Sequence, residues 1–167
     1  MAMSVANPHH ETAIIIGLVS DTHGLVRDAL FEALAGVSLI LHAGDVGGRS
    51  VLDALGTIAP VQAVYGNVDP LDGRLPPRLQ LEAGSVSIHV SHGHELGRPT
   101  PANLLASYPE DVVIYGHTHK ALVERAGNRL VINPGAAGPG RFDLMPSIAR
   151  LTVRDGRADV ELVWLKP

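Results

Sequence analysis

The sequence predicts an α/β protein (α+β in some classifications) in which two β-sheets pack face to face, with helices on the outside. The first half of the chain alternates short apolar runs with helical periodicity, in the order βαβαβ. The second half consists mostly of β-hairpin patterns, with one helix among them. About ten strands are too many for one flat, doubly wound sheet in a chain of 167 residues, so two sheets are expected.

Apolar runs and helical spacing define the elements of the first half. The first run is continuous and β-branched, which is typical of a buried strand, and apolar residues at helical spacing follow it. Strands are predicted at residues 13–20, 38–43 and 60–65, and helices at 25–34 and 50–55. Residues 66–77 are rich in Gly, Pro and Asp, which predicts a long loop.

Turn residues divide the second half into hairpins. Three pairs of apolar segments flank short turns and predict strands at 79–83, 86–90, 122–125, 130–133, 147–153 and 158–165. Between the first two hairpins, Thr100 as the cap and Pro101 as the first helical residue predict a helix that runs to Tyr108. A further strand is predicted at 112–115.

Composition excludes several classes of function. The net charge of −4 argues against a module that binds nucleic acid through its phosphates. The absence of Cys excludes disulfide scaffolds, thiolate zinc sites, iron–sulfur clusters and Cys nucleophiles. We expect a disordered lead-in at residues 1–12 and a single domain at 13–167, with no signal peptide, no membrane span and a cytoplasmic location.

Five of the predicted strands run directly into residues that can ligate a metal ion. A single His or Asp in such a place is more often part of a capped turn, but five such strand ends favour a shared metal site. The carboxyl ends of strands can meet at one crevice, and residues i and i+2 of an extended chain point the same way. The candidate ligands are Asp21, His23, Asp45, Asn67, His92, His117 and His119.

The number and type of these ligands indicate two metal ions. A tetrahedral zinc site uses four ligands at most, whereas seven donors suit two ions about 3.5–4 Å apart that share a bridging carboxylate. Without thiolates, the set suits Mn, Fe, Zn, Ni or Co better than Cu(I), and Mn is our first expectation. Two divalent ions with only two carboxylates leave excess positive charge, which attracts an anion such as phosphate.

The order of these motifs resembles the signature of the calcineurin-like metallophosphoesterases. Asp-x-His, Gly-Asp, Gly-Asn, His-Gly-His and Gly-His-Thr-His follow one another between Asp21 and His119. The short chain and the run LVINPG at 130–135 resemble the small phosphodiesterases of the YfcE type, a subgroup that also contains the retromer subunit Vps29. The resemblance covers almost the whole chain after Thr12, and it implies a four-layer fold, a β-sandwich with helices on both outer faces.

The resemblance also implies a role for each ligand. The first ion would be held by Asp21, His23 and His119, the second by Asn67, His92 and His117, and Asp45 would bridge them. The implied activity is hydrolysis of a phosphodiester, in which a hydroxide that bridges the two ions attacks phosphorus in line. Asp45 and Asn67 are therefore catalytic candidates as well as ligands.

One position departs from the pattern of the larger phosphatases in this superfamily. They place a His directly after the Asn, where it assists the leaving group, and this chain has Val68. A phosphomonoester needs that help more than a diester with a good leaving group, so a phosphodiesterase is favoured. His94 is a catalytic candidate that could replace the missing acid or contact the phosphate, unless the Gly93 turn simply holds it beside the ligands.

Two other functions stay open at this stage. One is a broad phosphomonoesterase, and the other is a non-catalytic, protein-binding scaffold like Vps29. The complete ligand set favours an enzyme because a scaffold does not need it. The expected partner is a small phosphodiester substrate, with no stable nucleic-acid binding and no membrane, and the resemblance implies a possible homodimer.

Three further polar residues allow two interpretations each. Asp69 either orients a ligand imidazole or forms the turn before Pro70. Lys120 and Arg98 either touch the substrate or are solvated.

Overall fold

The computed structural model describes residues 12–140 and 143–166. The predicted lead-in, apart from Thr12, lies outside the described residues. The strands are β1 (Ile14–Val19), β2 (Leu39–His42), β3 (Val61–Ala63), β4 (Arg78–Ala83), β5 (Val86–Ser91), β6 (Val112–Ile114), β7 (Leu122–Ala126), β8 (Arg129–Asn133), β9 (Ser147–Arg154) and β10 (Arg157–Trp164). The helices are α1 (Ala29–Ala33), α2 (Arg49–Gly56) and α3 (Pro101–Ser107), with a 3₁₀-helix at His94–Leu96.

Two mixed sheets of five strands each make up the β-structure of the described residues. The first sheet has the order β10-β9-β1-β2-β3, in which β1, β2 and β3 are parallel. The second sheet has the order β4-β5-β6-β8-β7, in which β5, β6 and β8 are parallel. Each sheet thus has a parallel centre or edge whose carboxyl ends can present functional side chains.

The main core lies between the two sheets. Alternate residues of each strand point inward, so Ile16 and Leu18 of β1 meet Ile88 of β5 and Ile114 of β6 in one buried cluster. These side chains are essentially inaccessible to solvent. Burying each of them stabilises the fold by roughly 1.5–3 kcal/mol.

Helices cover both outer faces of the sandwich. Leu30 of α1 and Leu55 of α2 are fully buried in a cluster with outward-facing residues of the first sheet, such as Ile40. Leu104 of α3 packs with Val113 and other residues on the outer face of the second sheet. The predicted two-sheet sandwich with outer helices, in four layers, is therefore confirmed.

The largest error in the predicted elements lies at the start of α1. The predicted helix of residues 25–34 begins only at Ala29, because the preceding residues continue the loop after β1. Gly24 donates its N–H to the Val46 carbonyl oxygen (2.9 Å), and Leu25 donates to Thr22 (2.9 Å). The Gly24 N–H thus bonds to a neighbouring loop, while Leu25 closes a turn within its own loop, and the helix begins only after them.

The predicted start of α3 is confirmed in detail. Thr100 accepts a hydrogen bond from the Asn103 N–H, the Asn103 side chain accepts one from the Thr100 N–H, and Pro101 occupies the first helical turn. None of the helices in the described part of the chain is long and apolar enough to cross a membrane.

Candidate metal centre

The seven predicted ligands meet at one end of the sandwich. Each lies in a loop that follows the carboxyl end of β1, β2, β3, β5 or β6. The first sheet therefore supplies four of the ligands and the second sheet supplies three. In the described residues, the carboxylates and imidazoles of five of them form two groups whose ligand atoms all lie within 4.8 Å of one another, namely Asp21, His23 and His119 in one and Asp21, Asp45 and His92 in the other.

The first group gathers around Asp21. Its Oδ1 lies 3.3 Å from His119 Nε2 and 3.8 Å from His23 Nε2, and these two nitrogens are 3.4 Å apart. The other oxygen, Oδ2, accepts hydrogen bonds from Ser20 Oγ (2.6 Å) and the His117 N–H (3.1 Å). One carboxylate oxygen is thus anchored while the other faces two imidazoles.

The second group gathers around His92. Its Nε2 lies 3.2 Å from Asp45 Oδ2 and 3.0 Å from Asn67 Oδ1. His117 presents Nδ1 to the same Asn67 oxygen at 3.1 Å. Asp45 Oδ2 also lies 3.8 Å from His23 Nε2, so the Asp45 carboxylate stands between the two groups, where the resemblance places a bridging ligand.

These donor atoms fit a cation better than they fit one another. His92 Nδ1 donates to the Ala43 carbonyl oxygen (2.8 Å), which leaves the Nε2 lone pair of a neutral imidazole facing the oxygens of Asp45 and Asn67. Asp21 Oδ1 is buried and receives no hydrogen bond. Because lone pairs that converge in this way repel one another, the residues fit divalent metal ions.

The backbone of the ligands is unusual. Left-handed φ angles are uncommon for residues other than Gly and cost roughly 1–2 kcal/mol each. In the part of the chain that the structure describes, six non-Gly residues adopt them, with φ between 46° and 70°. Five of these six are predicted ligands, namely Asp21, His23, Asp45, His117 and His119. Such strain is typical of functional sites, where the surrounding structure has to maintain it.

This backbone corrects one sequence expectation. The premise that residues i and i+2 point the same way holds only for an extended chain. His117 and His119 both have left-handed φ, of 70° and 63°, and their imidazoles turn to different groups. Both side chains still reach the site, as predicted. The premise that they point the same way along an extended chain was wrong.

Two Gly residues allow the ligand loops to approach one another. A Cβ atom at Gly66 would overlap the Asp45 carboxylate. A Cβ atom at Gly116 would overlap the Ser20 hydroxyl and lie 2.6 Å from Asp21 Oδ2. The prediction that a missing side chain before the ligands permits close approach is therefore confirmed.

The site stabilises its carboxylates in the charged form. Burial raises the pKa of Asp45, but the neighbouring His92 imidazole and the hydrogen bond from the Val68 N–H outweigh it and lower the pKa to about 2. Burial likewise opposes ionisation of Asp21, yet the imidazoles of His119 and His92 hold its pKa below the usual value. Burial lowers the pKa of His92, and Asp45 and Asp21 more than reverse this, so the pKa of His92 is raised.

Sequence reasoning missed His42, which is fully buried at the end of β2. Its Nδ1 accepts a hydrogen bond from the Gly44 N–H (3.1 Å), and its Nε2 donates to Thr22 Oγ1 (2.9 Å). The Thr22 hydroxyl in turn donates to the Val46 carbonyl oxygen (2.7 Å). This chain of bonds ties the loop that carries Asp21 and His23 to the loop that carries Asp45. A His at an apolar strand end, two residues before Gly-Asp, was the available signal.

Asp69 connects the next pair of loops. Its carboxylate accepts hydrogen bonds from the N–H groups of Val46 (3.1 Å), Gly47 (3.1 Å) and Gly66 (2.8 Å). Its own N–H donates to the Gly66 carbonyl oxygen (3.2 Å), which closes a turn. The turn interpretation is therefore confirmed, whereas orientation of a ligand imidazole by Asp69 is not what the structure shows.

Asn133 supports the loop of His117 and His119. It is fully buried, and its Nδ2 donates to the Gly116 carbonyl oxygen (3.0 Å) and to Thr118 Oγ1 (3.0 Å). Its Oδ1 accepts a hydrogen bond from the Gly135 N–H (2.9 Å).

His94 lies at the rim of the second group. Its ring centroid is 5.3 Å from that of His92 and 6.3 Å from that of His117, and its side chain is 30% exposed. It begins the 3₁₀-helix, where Glu95 accepts the Gly93 N–H (2.8 Å) and so fixes the turn between His92 and His94. The residue after Asn67 is Val68, so this position offers no imidazole to the site. The Val68 side chain is 61% exposed.

A four-layer sandwich that gathers Asp, Asn and His ligands from both sheets defines a metallophosphoesterase. The family model of the calcineurin-like phosphoesterase superfamily domain matches residues 14–156 of the chain. The chain therefore belongs to this superfamily, whose members use divalent metal ions.

Several proteins are similar over most of the chain. A probable metallophosphoesterase from Methanothermobacter thermautotrophicus is 34% identical over 159 residues, which is 90% of this chain and 92% of that protein. A phosphodiesterase from Methanocaldococcus jannaschii is 30% identical over 139 residues, 72% of this chain and 82% of that protein. Vps29 from Entamoeba histolytica has the same fold, with a TM-score of 0.74 at 24% identity, over 92% of this chain and 100% of that chain.

Proposed function

We propose that the protein is a phosphodiesterase that requires two divalent metal ions and hydrolyses its substrate by in-line attack of hydroxide on phosphorus. The observation that carries the proposal is the convergence of the ligand atoms of Asp21, Asp45 and His92 within 4.8 Å of one another, together with a buried Asp21 Oδ1 that receives no hydrogen bond. The similarity to a named phosphodiesterase from M. jannaschii supports the diester specificity. We propose Mn²⁺ as the resident ion, because the donors are carboxylate, amide and imidazole groups without thiolate.

The chain's own residues have distinct roles in this proposal. When bound, the two ions supply hydroxide at neutral pH and neutralise charge on the phosphate oxygens. Asp21 and Asp45 remain ionised to low pH, since their pKa values are lowered, and so they stay available as ligands. Asn67, between His92 and His117, adds a neutral oxygen that leaves the site positively charged for an anionic substrate.

We propose that His94 lies on the side of the leaving group and acts as the general acid that protonates it. It is partly exposed at the rim beside His92 and His117, where a proton can pass to the departing oxygen. His94→Gln should therefore lower kcat on a diester with a poor alkoxide leaving group by about 100-fold, and much less on a p-nitrophenyl diester. An equal loss on both substrates would assign His94 a contact to the phosphate and not a proton transfer.

The decisive experiment is hydrolysis of bis-(p-nitrophenyl) phosphate with added Mn²⁺. Turnover should require the metal, and it should be lost in chelator-treated protein and in His117→Ala, which removes a ligand of the second group. Glu124→Ala, at an exposed position of β7, is the matched control and should keep both full activity and two ions per chain. A metal-loaded protein that hydrolyses neither diesters nor monoesters would leave the scaffold function, with a protein partner to be sought.

The remaining expectations about partners are part of the same proposal. We propose a small phosphodiester as substrate, no stable complex with nucleic acid or membranes, a cytoplasmic location and a possible homodimer. The net charge of −4 supports a small anionic substrate at a local metal site over a long phosphate backbone spread across the surface.

A further inference from the structure

We propose that a pocket beside the metal centre binds a planar, uncharged aromatic group of the substrate, so that aryl phosphodiesters are preferred over alkyl ones. The proposal rests on the phosphodiesterase function above and names the substrate class for that site. The pocket has a volume of about 380 Å³, within the range of small-molecule sites. Among the described residues its walls include His119, Lys120, Ala121, Leu144, Met145 and Trp164.

The pocket and the metal centre share His119. This side chain lines the pocket, and its Nε2 lies 3.3 Å from Asp21 Oδ1 in the first ligand group. In an in-line displacement the leaving group departs opposite the nucleophile, while the retained ester group stays beside the metal ligands. His94 lies with the second group, so the pocket next to His119 is placed to receive the retained group.

The pocket walls offer apolar surface that nothing in the described chain covers. Trp164 and Met145 are each 54% exposed, although an indole and a thioether are large apolar groups. A flat ring laid against them would gain stacking and sulfur–aromatic contacts and would remove this surface from water.

The backbone that carries the indole is fixed before any ligand arrives. Trp164 pairs with Ser147 at the end of the β9–β10 ladder, and Ser147 Oγ donates to the Pro134 carbonyl oxygen (2.6 Å). On the other side, the Leu165 N–H donates to the Pro146 carbonyl oxygen (2.8 Å). A preorganised aromatic wall of this kind costs little entropy on binding.

The charged residues that line the pocket favour an uncharged group of the substrate. Lys120 and Asp143 line it together and contribute one charge of each sign. A second phosphate would gain from Lys120 and lose to Asp143, whereas a neutral ring is indifferent to both.

The kinetic test compares two substrates with one leaving group, phenyl p-nitrophenyl phosphate and ethyl p-nitrophenyl phosphate. Trp164→Ala should reduce the preference in kcat/KM for the phenyl ester by about tenfold, through KM, and leave the ethyl ester unchanged. Trp164→Phe, which restores an aromatic face, should recover most of the preference. Phe31→Ala removes an aromatic side chain that is 44% exposed on α1 and is the control that should change neither substrate.

A preference that survives Trp164→Ala, or an equal loss on both esters, would overturn the proposal. A binding measurement separates it from the proposed function, since Trp164 is the only Trp in the chain and its fluorescence reports on the pocket. Benzylphosphonate should change the emission of the metal-loaded protein saturably, at lower concentration than ethylphosphonate. If neither diester is hydrolysed, the proposed function fails; the benzylphosphonate response then supports the pocket, and its absence overturns it.

Discussion

At the scale of single residues, His42 shows how a side chain that supports the ligand loops is restricted to one protonation state. Its two ring nitrogens have opposite roles, since Nδ1 accepts from Gly44 and Nε2 donates to Thr22, and only the neutral imidazole satisfies both. Burial, the largest influence, lowers the pKa of His42 to about 4. The unfolded chain therefore takes up this proton first as the pH falls, and native stability decreases between about pH 6.5 and pH 4.

The His42→Gln variant should remove this part of the pH dependence. Between pH 7 and pH 5 the free energy of unfolding of the native protein should fall by about 2 kcal/mol more than that of the variant. Urea unfolding at both pH values measures the difference, and all other titrating groups are common to the two proteins. Parallel pH profiles would show that His42 is not held neutral.

Val68 is the residue at which the leaving-group chemistry of the superfamily can be tested. Val68→His should raise the turnover of p-nitrophenyl phosphate relative to bis-(p-nitrophenyl) phosphate by at least about tenfold, because a monoester gains most from a general acid. Val68 is 61% exposed, so an imidazole fits without repacking. Leu71→His, 78% exposed in the same loop, is the matched control and should leave the ratio unchanged.

At the scale of elements, the parallel strands and their loops decide where the ligands lie. The three loops of the first sheet are held together by His42 and by Asp69, which accepts three N–H groups from the loops after β2 and β3. The loops thus behave as one assembled unit, whose spacing is set by hydrogen bonds and by Gly residues.

Gly66→Ala should disturb this spacing, because the new Cβ would lie 2.4 Å from the Asp45 backbone nitrogen. The new Cβ would overlap the Asp45 carboxylate, so we expect at least a tenfold loss of metal affinity, measured by calorimetric titration with Mn²⁺. Gly56→Ala in α2 is the matched control, since no atom lies within 4 Å of its Cβ position. It should leave metal binding intact and raise stability by up to about 1 kcal/mol. Equal affinities in the two variants would contradict the role assigned to Gly66.

The sequence predicted the strands and helices well because they depend on local patterns. Alternating apolar residues indicated the hairpins, and Thr100 with Pro101 indicated the start of α3. The beginning of α1 was misplaced because Gly24 bonds to Val46 in a neighbouring loop, which no local pattern records, and Leu25 closes a turn on Thr22. The order of strands in the two sheets was likewise beyond reach, since β9 inserts beside β1 from the other end of the chain.

The candidate site was predictable to the extent that it depends on residue type and position. The seven ligands follow strands, and the chain brings them together. The left-handed backbone of residues such as Asp45 and His119 could not be foreseen, because it results from tertiary hydrogen bonds at each loop. His42 was missed, and the bonds that Asp69 accepts from Val46 and Gly47 were not foreseen, because these partners are distant in the sequence.

At the scale of the whole molecule, removal of metal should destabilise the fold. Ions that bind only the native state add RT ln(1 + [L]/Kd), which is about 2.7 kcal/mol at 100 times Kd. We expect EDTA to lower the thermal midpoint by several degrees, measured by calorimetry, and excess Mn²⁺ to restore it. An unchanged midpoint would mean that the ligands bind no ion.

The same stabilisation should fade in acid. A protonated imidazole cannot ligate, and the pKa of His92 is raised by Asp45 and Asp21 after burial is overcome. As the pH decreases, metal affinity should therefore begin to fall at a pH above the ordinary pKa of His, and it should continue to fall below that pH. Titrations with Mn²⁺ at several pH values check this, and an affinity that does not depend on pH would exclude His92 as a ligand.

The two groups of ligands draw on both sheets, and this has a consequence for how the sandwich opens. Bound ions would link the loops after β1, β2 and β3 to the loops after β5 and β6, and so hold the two sheets together at that end of the sandwich. The opposite end is closed by apolar side chains between the sheets, such as Val86 and Val153, and by Arg125, which donates to the Ala158 carbonyl oxygen (2.8 Å) and to Asp159 (3.2 Å). With metal present, the sheets should separate from that far end first. Amide hydrogens there should then exchange faster than those next to the ligands.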